Sequence, residues 1–215
     1  MGGSIVRLTD LEIRPARPSD AAVASRLIYQ SGPDAFRFVF GSESEALRFL
    51  EYAFERKEGE FGYGCHTVGL LDGVVVAIGA LLDGRETLKN TIAAVKQFVG
   101  CFGPLGWIPV AVRGLRTEAV IQPPKKGEVA LVHITVEESL RGKGIGKAII
   151  ARLLEEVNRM STAGAQSLPV LDVAAHNGGA EHVYTSLGFR VQTERISKLR
   201  NAAGHVPAHK RMIRA

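Results

Sequence analysis

Glycines and basic residues crowd into one short stretch that could bind an anion. The stretch runs Arg141-Gly-Lys-Gly-Ile-Gly146 and continues into Lys147. Glycines let backbone N–H groups approach an anion closely, and the start of a helix adds unpaired N–H donors and the positive end of its dipole. The stretch therefore predicts a phosphate site where a helix begins. Apolar residues recur every four positions in that helix: Ile145, Ile149, Leu153 and Val157.

A buried strand is predicted directly before this stretch. Residues 129–136 are almost wholly apolar and rich in β-branched side chains, which suits a strand that is covered on both faces. Two common phosphate-binding patterns do not fit the glycines that follow. The P-loop needs Ser or Thr after its lysine, but Ala148 follows Lys147, and the dinucleotide fingerprint needs G-x-G-x-x-G rather than G-x-G-x-G. The phosphate ligand is therefore predicted to belong to another class.

The glycine stretch resembles the pyrophosphate loop of the GCN5-related N-acetyltransferase superfamily, R/Q-x-x-G-x-G/A, with Arg141, Gly144 and Gly146 in its fixed positions. A second stretch resembles that superfamily's next motif, in which a strand is followed by Asn177, Ala180, Tyr184 and Gly188-Phe189. The resemblance is strong over residues 128–190. It implies an α/β (α+β) fold with a mixed, mostly antiparallel central sheet flanked by helices.

The resemblance also implies acetyl-CoA as cosubstrate and a set of residues that bind it. Backbone N–H groups of the glycine stretch would hold the pyrophosphate, and strand four would splay from strand five so that main-chain groups pair with the pantetheine arm. Asn177 would bond to the same arm, or it would serve only as a helix cap. The predicted cofactor-binding residues are Ile134, Val136, Arg141, Gly142, Lys143, Gly144, Ile145, Gly146, Lys147 and Asn177.

Two residues are predicted to carry the proton transfers. Tyr184 fits the tyrosine that many superfamily members place beside the cofactor sulfur, where a phenol can protonate a thiolate. Glu128 lies at the start of strand four, where some members carry a catalytic glutamate, although it could also be a solvated edge residue. His133 is the rival base; simple alternation puts it on the opposite face from Glu128 unless a bulge intervenes. A base acting through ordered water also stays open.

Composition narrows the class of protein. The chain has 215 residues, a formal net charge of +5 and two cysteines that form no C-x-x-C pair, so we predict a cytoplasmic protein without a disulfide framework. No nucleic-acid motif accompanies the basic excess, and no partner of that kind is expected. His205 and His209 are separated by Pro207 and lack a third ligand, so no metal site is predicted. The uncharged run at 98–112 is too short and interrupted to span a bilayer, and no membrane association is expected.

We predict that the whole chain, residues 1–215, forms a single domain. Asp72-Gly73 predicts a β-hairpin, the helix after the glycine stretch is predicted to end near Met160, and a loop follows at 161–168. Residues 83–127 form an insertion between strands three and four, predicted to be helical and to lie near the acceptor site or in an oligomer contact. Three phenylalanines at 36, 38 and 40 belong either to the core or to the acceptor site.

The resemblance implies an N-acetyltransferase that moves an acetyl group directly from acetyl-CoA to a primary amine of a small molecule or peptide. A homodimer is one oligomeric state open to it. The alternative is a non-catalytic acyl-CoA-binding sensor or interaction module.

Overall fold

The computed structural model describes residues 8–162 and 167–214. The described residues form one seven-stranded sheet with the order β1-β2-β3-β4-β5-β7-β6. Neighbouring strands are antiparallel except for β4 and β5, which are parallel. The predicted mixed, mostly antiparallel sheet is confirmed. The strands are β1 (Glu12–Pro15), β2 (His66–Leu71), β3 (Val74–Asp83), β4 (Glu128–Val136), β5 (Leu168–Ala174), β6 (Arg190–Arg195) and β7 (His209–Ile213).

Helices cover both faces of the sheet. One apolar core lies between the sheet and α1 and α3, and a second lies between the sheet, α5 and α6. Helix α5 follows the predicted glycine stretch and continues to Thr162, past Met160. Of the predicted 161–168 loop, residues 161–162 are helical, residues 163–166 lie outside the described residues, and Leu168 starts β5. The helices are α1 (Ala21–Gln30), α2 (Pro33–Phe40), α3 (Glu43–Phe54), α4 (Thr87–Thr117), α5 (Ile145–Thr162) and α6 (Gly178–Ser186).

Local sequence chemistry explains two of the boundaries. Ser42 caps α3, because its Oγ accepts a hydrogen bond from the Glu45 N–H at 3.2 Å. The turn between β2 and β3 holds Asp72 at φ 50° and Gly73 at φ 76°, as a two-residue hairpin loop requires. The predicted hairpin is therefore present, and it sets the register of the strand that pairs with β4.

The insertion between β3 and β4 is helical, as predicted. Helix α4 is broken at Gly103, whose φ of 75° and ψ of 178° are not helical, and Pro104 starts its second half. Its first half is fixed to the domain by aromatic rings: between ring centroids, Phe98 lies 4.8 Å from Phe49, and Phe102 lies 6.1 Å from Phe40. The insertion is thus packed against α2 and α3 along part of its surface.

The three phenylalanines of α2 differ in how deeply they are buried. Phe38 and Phe40 are buried in the core, whereas Phe36 is only partly buried and lies 6.5 Å from His133 between ring centroids. The core interpretation therefore holds for two of them, and Phe36 belongs to the neighbourhood of the candidate site.

Candidate active site

The sheet opens between β4 and β5. These strands pair only at Glu128↔Leu168, Val129↔Pro169 and Ala130↔Val170. Beyond Ala130, β4 stays paired with β3 as far as Val136, and β5 stays paired with β7 as far as Ala174. The facing edges of β4 and β5 therefore diverge, and their main-chain groups, including those near Ile134, are available to an extended ligand placed in the opening.

The glycine stretch lies at the wide end of this opening. Gly142 and Gly144 have φ angles of 77° and 85°, a region that L side chains rarely adopt. A Cβ added at Gly144 would lie 3.1 Å from Leu8 Cδ1, a tight contact that the Leu8 side chain would have to relieve by moving. Arg141 Nε donates to Val136 O at 3.1 Å, which ties the loop to the end of β4.

Backbone N–H groups in this loop are left for a ligand. The first hydrogen bond of α5 runs from Ala148 N to Gly144 O, and the N–H groups of residues 142–147 donate to no described backbone carbonyl. The exposed side chains of Lys143 and Lys147 add positive charge around these donors. Converging N–H groups, the positive end of a helix dipole and two lysines suit a pyrophosphate, so the residues present fit the cofactor that the sequence predicts.

Helix α6 presents the other predicted cofactor and acid residues. Asn177 Oδ1 accepts from Ala180 N at 3.1 Å, so Asn177 caps α6, and its exposed Nδ2 can still donate to a ligand. Tyr184 packs in the core on the α5 side of the sheet, 6.1 Å from Phe189 between ring centroids. Burial raises the pKa of Tyr184 to about 12, so its hydroxyl keeps its proton at neutral pH and can donate it.

A β-bulge places His133 beside the aromatic side of the sheet. Ala80 pairs with Val132 and Ile78 with Thr135, so Gly79 alone opposes His133 and Ile134. His133 takes a positive φ of 56° there. Ile134 packs into the α5 core, whereas the His133 ring stacks with His66 on the other face. The bulge therefore reverses the face that simple alternation assigns to His133.

Hydrogen bonds fix the tautomers of the two histidines. His66 Nδ1 lies 2.8 Å from Gly62 O and must donate, since a carbonyl oxygen only accepts. His66 Nε2 is then an acceptor, so His133 Nδ1, at 3.1 Å, must donate to it. Burial lowers the pKa of His66 to about 4 and lowers the pKa of His133 well below its usual value, so both rings are neutral at pH 7. His133 Nε2 is consequently left with a free lone pair.

Glu60 faces that lone pair. Its Oε1 lies 3.9 Å from His133 Nε2, too long for a direct hydrogen bond but short enough for one donor atom to bond to both. Although 44% of the Glu60 side chain is accessible, burial and then the charge of Glu118 raise the pKa of Glu60 to about 7. The two atoms form a pair of proton acceptors that one ammonium group can contact together, here called the acceptor pair.

Aromatic rings and the insertion surround the acceptor pair. Phe61 stacks on His133 at 5.3 Å between centroids, and Phe36 lies on another side of it. Such rings stabilise a nearby cation and exclude water from it. Glu118, directly after α4, acts on Glu60 through its charge. The end of the insertion therefore borders the acceptor pair.

Glu128 lies at the closed end of the opening and is engaged elsewhere. Its Oε2 accepts from Arg211 Nη2 and from Lys125 N, both at 2.9 Å. The same guanidinium donates to Asp172 Oδ2 at 2.9 Å and is almost wholly buried. About five residues of strand, roughly 16 Å, separate Glu128 from His133. This geometry favours a structural role for Glu128.

We expect Glu128→Gln to change stability more than rate. The amide keeps an acceptor for Arg211 but removes the negative charge, which is expected to cost about 1–3 kcal/mol of unfolding free energy. Thermal denaturation should register a lower Tm, while kcat should change less than about threefold. A loss of kcat beyond about tenfold with an unchanged Tm would make Glu128 the base.

The sequence interpretation missed Glu60, which belongs to the acceptor pair, and His66, which bonds to His133. Glu60 lies in the irregular connection after α3, and His66 starts β2, so no local spacing links either to His133. A histidine at the first position of a strand beside a Gly-rich turn was the one available signal. Within the described residues, no group of three or more His, Cys, Asp or Glu side chains could hold a metal ion.

The diverging strands and the anion loop together suit a ligand that carries a pyrophosphate and an extended arm. A family model described as "Acetyltransferase (GNAT) family" matches residues 26–189, and the chain belongs to this family.

One curated protein is similar to part of this chain. The chain is 33% identical over 81 residues to the [ribosomal protein bS18]-alanine N-acetyltransferase of Salmonella typhimurium, a match that covers 38% of this chain and 52% of that protein. The chain thus spans about half the length of this curated relative.

Two solved structures share the fold. An N-acetyltransferase of Staphylococcus aureus is 18% identical, with a TM-score of 0.64 over 94% of this chain and 99% of that one. An acetyltransferase of Salmonella typhimurium, solved with its cofactor acetyl-CoA, is 17% identical, with a TM-score of 0.53 over 95% and 92%.

Proposed function

We propose that this protein transfers the acetyl group of acetyl-CoA directly to a primary amine that binds at the acceptor pair. The observation that carries the proposal is the convergence of His133 Nε2 and Glu60 Oε1 at 3.9 Å on a bulge beside the opened sheet. Acetyl-CoA supplies an activated acetyl group. The chain's own residues must hold the cofactor, take a proton from the amine and give one to the leaving sulfur.

The loop and strand edges would hold the cofactor. The N–H groups of residues 142–147 and the side chains of Lys143 and Lys147 would bind the pyrophosphate. The free edge of β4 near Ile134 and Val136, with Asn177 Nδ2, would bind the pantetheine arm. Arg141 would serve mainly by fixing the loop to Val136 O. All ten residues predicted to bind the cofactor are thus retained in the proposal.

The acceptor pair would take the proton. An ammonium between His133 Nε2 and Glu60 Oε1 donates to both, and the neutral imidazole or the ionised carboxylate then accepts. His66 keeps His133 in the required tautomer through its own bond to Gly62 O, so His66 is a positioning residue. Tyr184, which keeps its proton, would protonate the sulfur from the α5 side of the sheet. Glu128 is left with its ion pair to Arg211.

The acceptor is proposed to arrive as a cation on a small molecule or peptide. Two carboxylates, Glu60 and Glu118, lie near the point where it would bind, and the rings of Phe36 and Phe61 line the same place. The relative that acetylates an alanine of a ribosomal protein makes a peptide amine a reasonable first probe. Lysines, polyamines and other small amines complete the panel. A cytoplasmic location and a homodimer stay predictions.

Cofactor binding is tested by a matched pair of glycine variants. Gly144→Asp adds a side chain and a negative charge among the loop N–H groups, whereas Gly73→Asp adds the same group at a similar positive φ with no atom within 4 Å. Acetyl-CoA should raise the Tm of the parent and of Gly73→Asp but leave Gly144→Asp unchanged. An equal rise in all three proteins would remove the cofactor from this loop.

The rival function is a non-catalytic acyl-CoA-binding module. It shares the cofactor loop, so the glycine variants do not separate the two. Acetylation of an amine by the protein separates the two functions, because a binding module acetylates no amine and needs neither the acceptor pair nor Tyr184.

A further inference from the structure

Helix α4 carries an apolar surface that the domain does not cover. Residues 84–117 contain a window with mean hydropathy 1.4, enough by length and composition to cross a membrane, yet only 6% of that window is buried. Such a large exposed apolar surface is uncommon on a soluble monomer and marks an interaction site. Burial in the protein core therefore does not account for the apolar composition of α4.

The exposed residues follow helical spacing in both halves of α4. In the first half they recur at intervals of four, three and four, and Leu88 is 74% exposed; in the second half the intervals are three, four and three, and Leu105 is 78% exposed. Each half therefore presents one continuous apolar stripe to solvent. The stripes consist of Leu88, Ile92, Val95 and Val99, followed by Leu105, Ile108, Val112 and Leu115.

The opposite side of each half is fixed to the domain. Ala93 and Gln97 are buried, and Gln97 Nε2 donates to Glu58 O at 2.8 Å. In the second half, Val110 is buried and Arg113 Nε donates to Val39 O at 2.5 Å. Helix α4 thus has two sides: one packs against the domain, and the apolar stripes lie on the side that faces solvent.

The length of each half argues against a span. The break at Gly103 leaves 16 residues (87–102) and 14 residues (104–117), about 24 Å and 21 Å at 1.5 Å per residue. Both are shorter than the roughly 30 Å hydrocarbon core of a bilayer. A helix of this kind fits in the plane of the membrane interface, with its stripes in the acyl region.

Charge decides between a lipid surface and a second copy of the chain. No acidic residue lies between Glu86 and Glu118, while Lys89 and Lys96 flank Ile92 at helical spacing, and the exposed Arg116 lies beside the second stripe. Two copies facing each other would bring these cations together. An anionic lipid surface would instead attract each of them by about 1 kcal/mol.

Trp107 adds a second feature of interfacial helices. It lies in the first turn of the second half of α4, beside Ile108, and its Nε1–H donates to Pro104 O at 3.1 Å. Tryptophan is enriched at the level of lipid headgroups, where an apolar ring and a polar N–H are both accommodated. From the outward stripes, their basic flanks and the interrupted length, we propose that α4 docks this protein on the surface of an anionic phospholipid membrane.

Vesicle flotation tests the proposal. The parent protein should float with vesicles of phosphatidylglycerol and phosphatidylcholine in equal parts at least tenfold more than with pure phosphatidylcholine. Leu105→Glu/Leu115→Glu should lose flotation. Val74→Glu/Ile196→Glu, which adds the same charges at two other exposed apolar positions, should keep it. Lys89→Gln/Lys96→Gln should weaken it severalfold, since part of the attraction is electrostatic.

Folding and function are followed separately. All variants should keep the Tm rise with acetyl-CoA, since the altered side chains are exposed and the docking surface is distinct from the cofactor loop. Failure of the parent to float, or equal flotation of the parent and the Leu105/Leu115 variant, would overturn the proposal. The proposal would also be overturned if the parent bound no vesicles and formed a stable dimer, while the Leu105/Leu115 variant was a monomer. The stripes would then contact a second copy of the chain.

Discussion

His133→Asn is expected to lower kcat by about 10²–10⁴-fold, the range that a general base contributes. Asparagine tolerates the positive φ of position 133 better than most residues, so the bulge should survive while the basic nitrogen is lost. Steady-state kinetics at saturating acetyl-CoA measure the loss. The Tm rise with acetyl-CoA should be unchanged, because His133 lies on the face away from α5.

A control histidine and a pH profile sharpen this test. His205→Asn alters an exposed histidine, whose Nε2 lies 3.9 Å from Asp34 Oδ2, and should keep the parent rate. Glu60 must be ionised to accept a proton, and its pKa is raised to about 7, so kcat/KM should rise with pH through about 7. The pH profile of Glu60→Gln should lack the inflection near pH 7. The inflection caused by titration of the amine substrate should appear in the profiles of both the parent and Glu60→Gln. A parent-like rate in His133→Asn together with an unaltered profile in Glu60→Gln would leave water as the base.

Tyr184→Phe is expected to lower kcat at least about tenfold while the affinity for acetyl-CoA stays nearly constant. The change keeps the ring, its contact with Phe189 and its place in the α5 core, and it removes only the hydroxyl. An interaction that is made only in the transition state affects kcat and kcat/KM together. Rapid-quench measurement of a single turnover gives the chemical step.

The matched control for Tyr184 is Tyr63→Phe, at a half-buried tyrosine on the other face of the sheet. It should leave the single-turnover rate unchanged. Full retention of that rate by Tyr184→Phe, with chemistry limiting, would make Tyr184 a packing residue and assign the proton to solvent.

The cofactor side of the site could be predicted because its signals are local. The glycines of residues 142–146, the apolar period of α5 and the strand before them are contiguous, and each carries its own conformational preference. The hairpin at Asp72-Gly73 and the helical insertion were predictable for the same reason. The opening between β4 and β5 came from the resemblance, since sequence periodicity does not show where a strand pair ends.

The acceptor side could not be predicted, since it depends on contacts between distant parts of the chain. His133 reaches His66, 67 residues away, only because a bulge opposite Gly79 turns its ring to the other face. Gly79 also allows close packing there, since an added Cβ would lie 2.9 Å from both Ile149 and Leu153. Glu128 had a suggestive position in the strand, but its ion pair with Arg211, 83 residues away, leaves no trace in local sequence.

The most direct measurement is mass spectrometry of an amine panel incubated with the protein and acetyl-CoA. The panel contains peptides that begin with alanine, lysine peptides, polyamines and small amines. At least one amine should gain an acetyl group in step with the release of free coenzyme A, and His133→Asn should slow that conversion by about 10²–10⁴-fold. Binding of acetyl-CoA by a folded parent protein, with no amine acetylated above the rate without protein, would contradict the proposed function and support a coenzyme A-binding module.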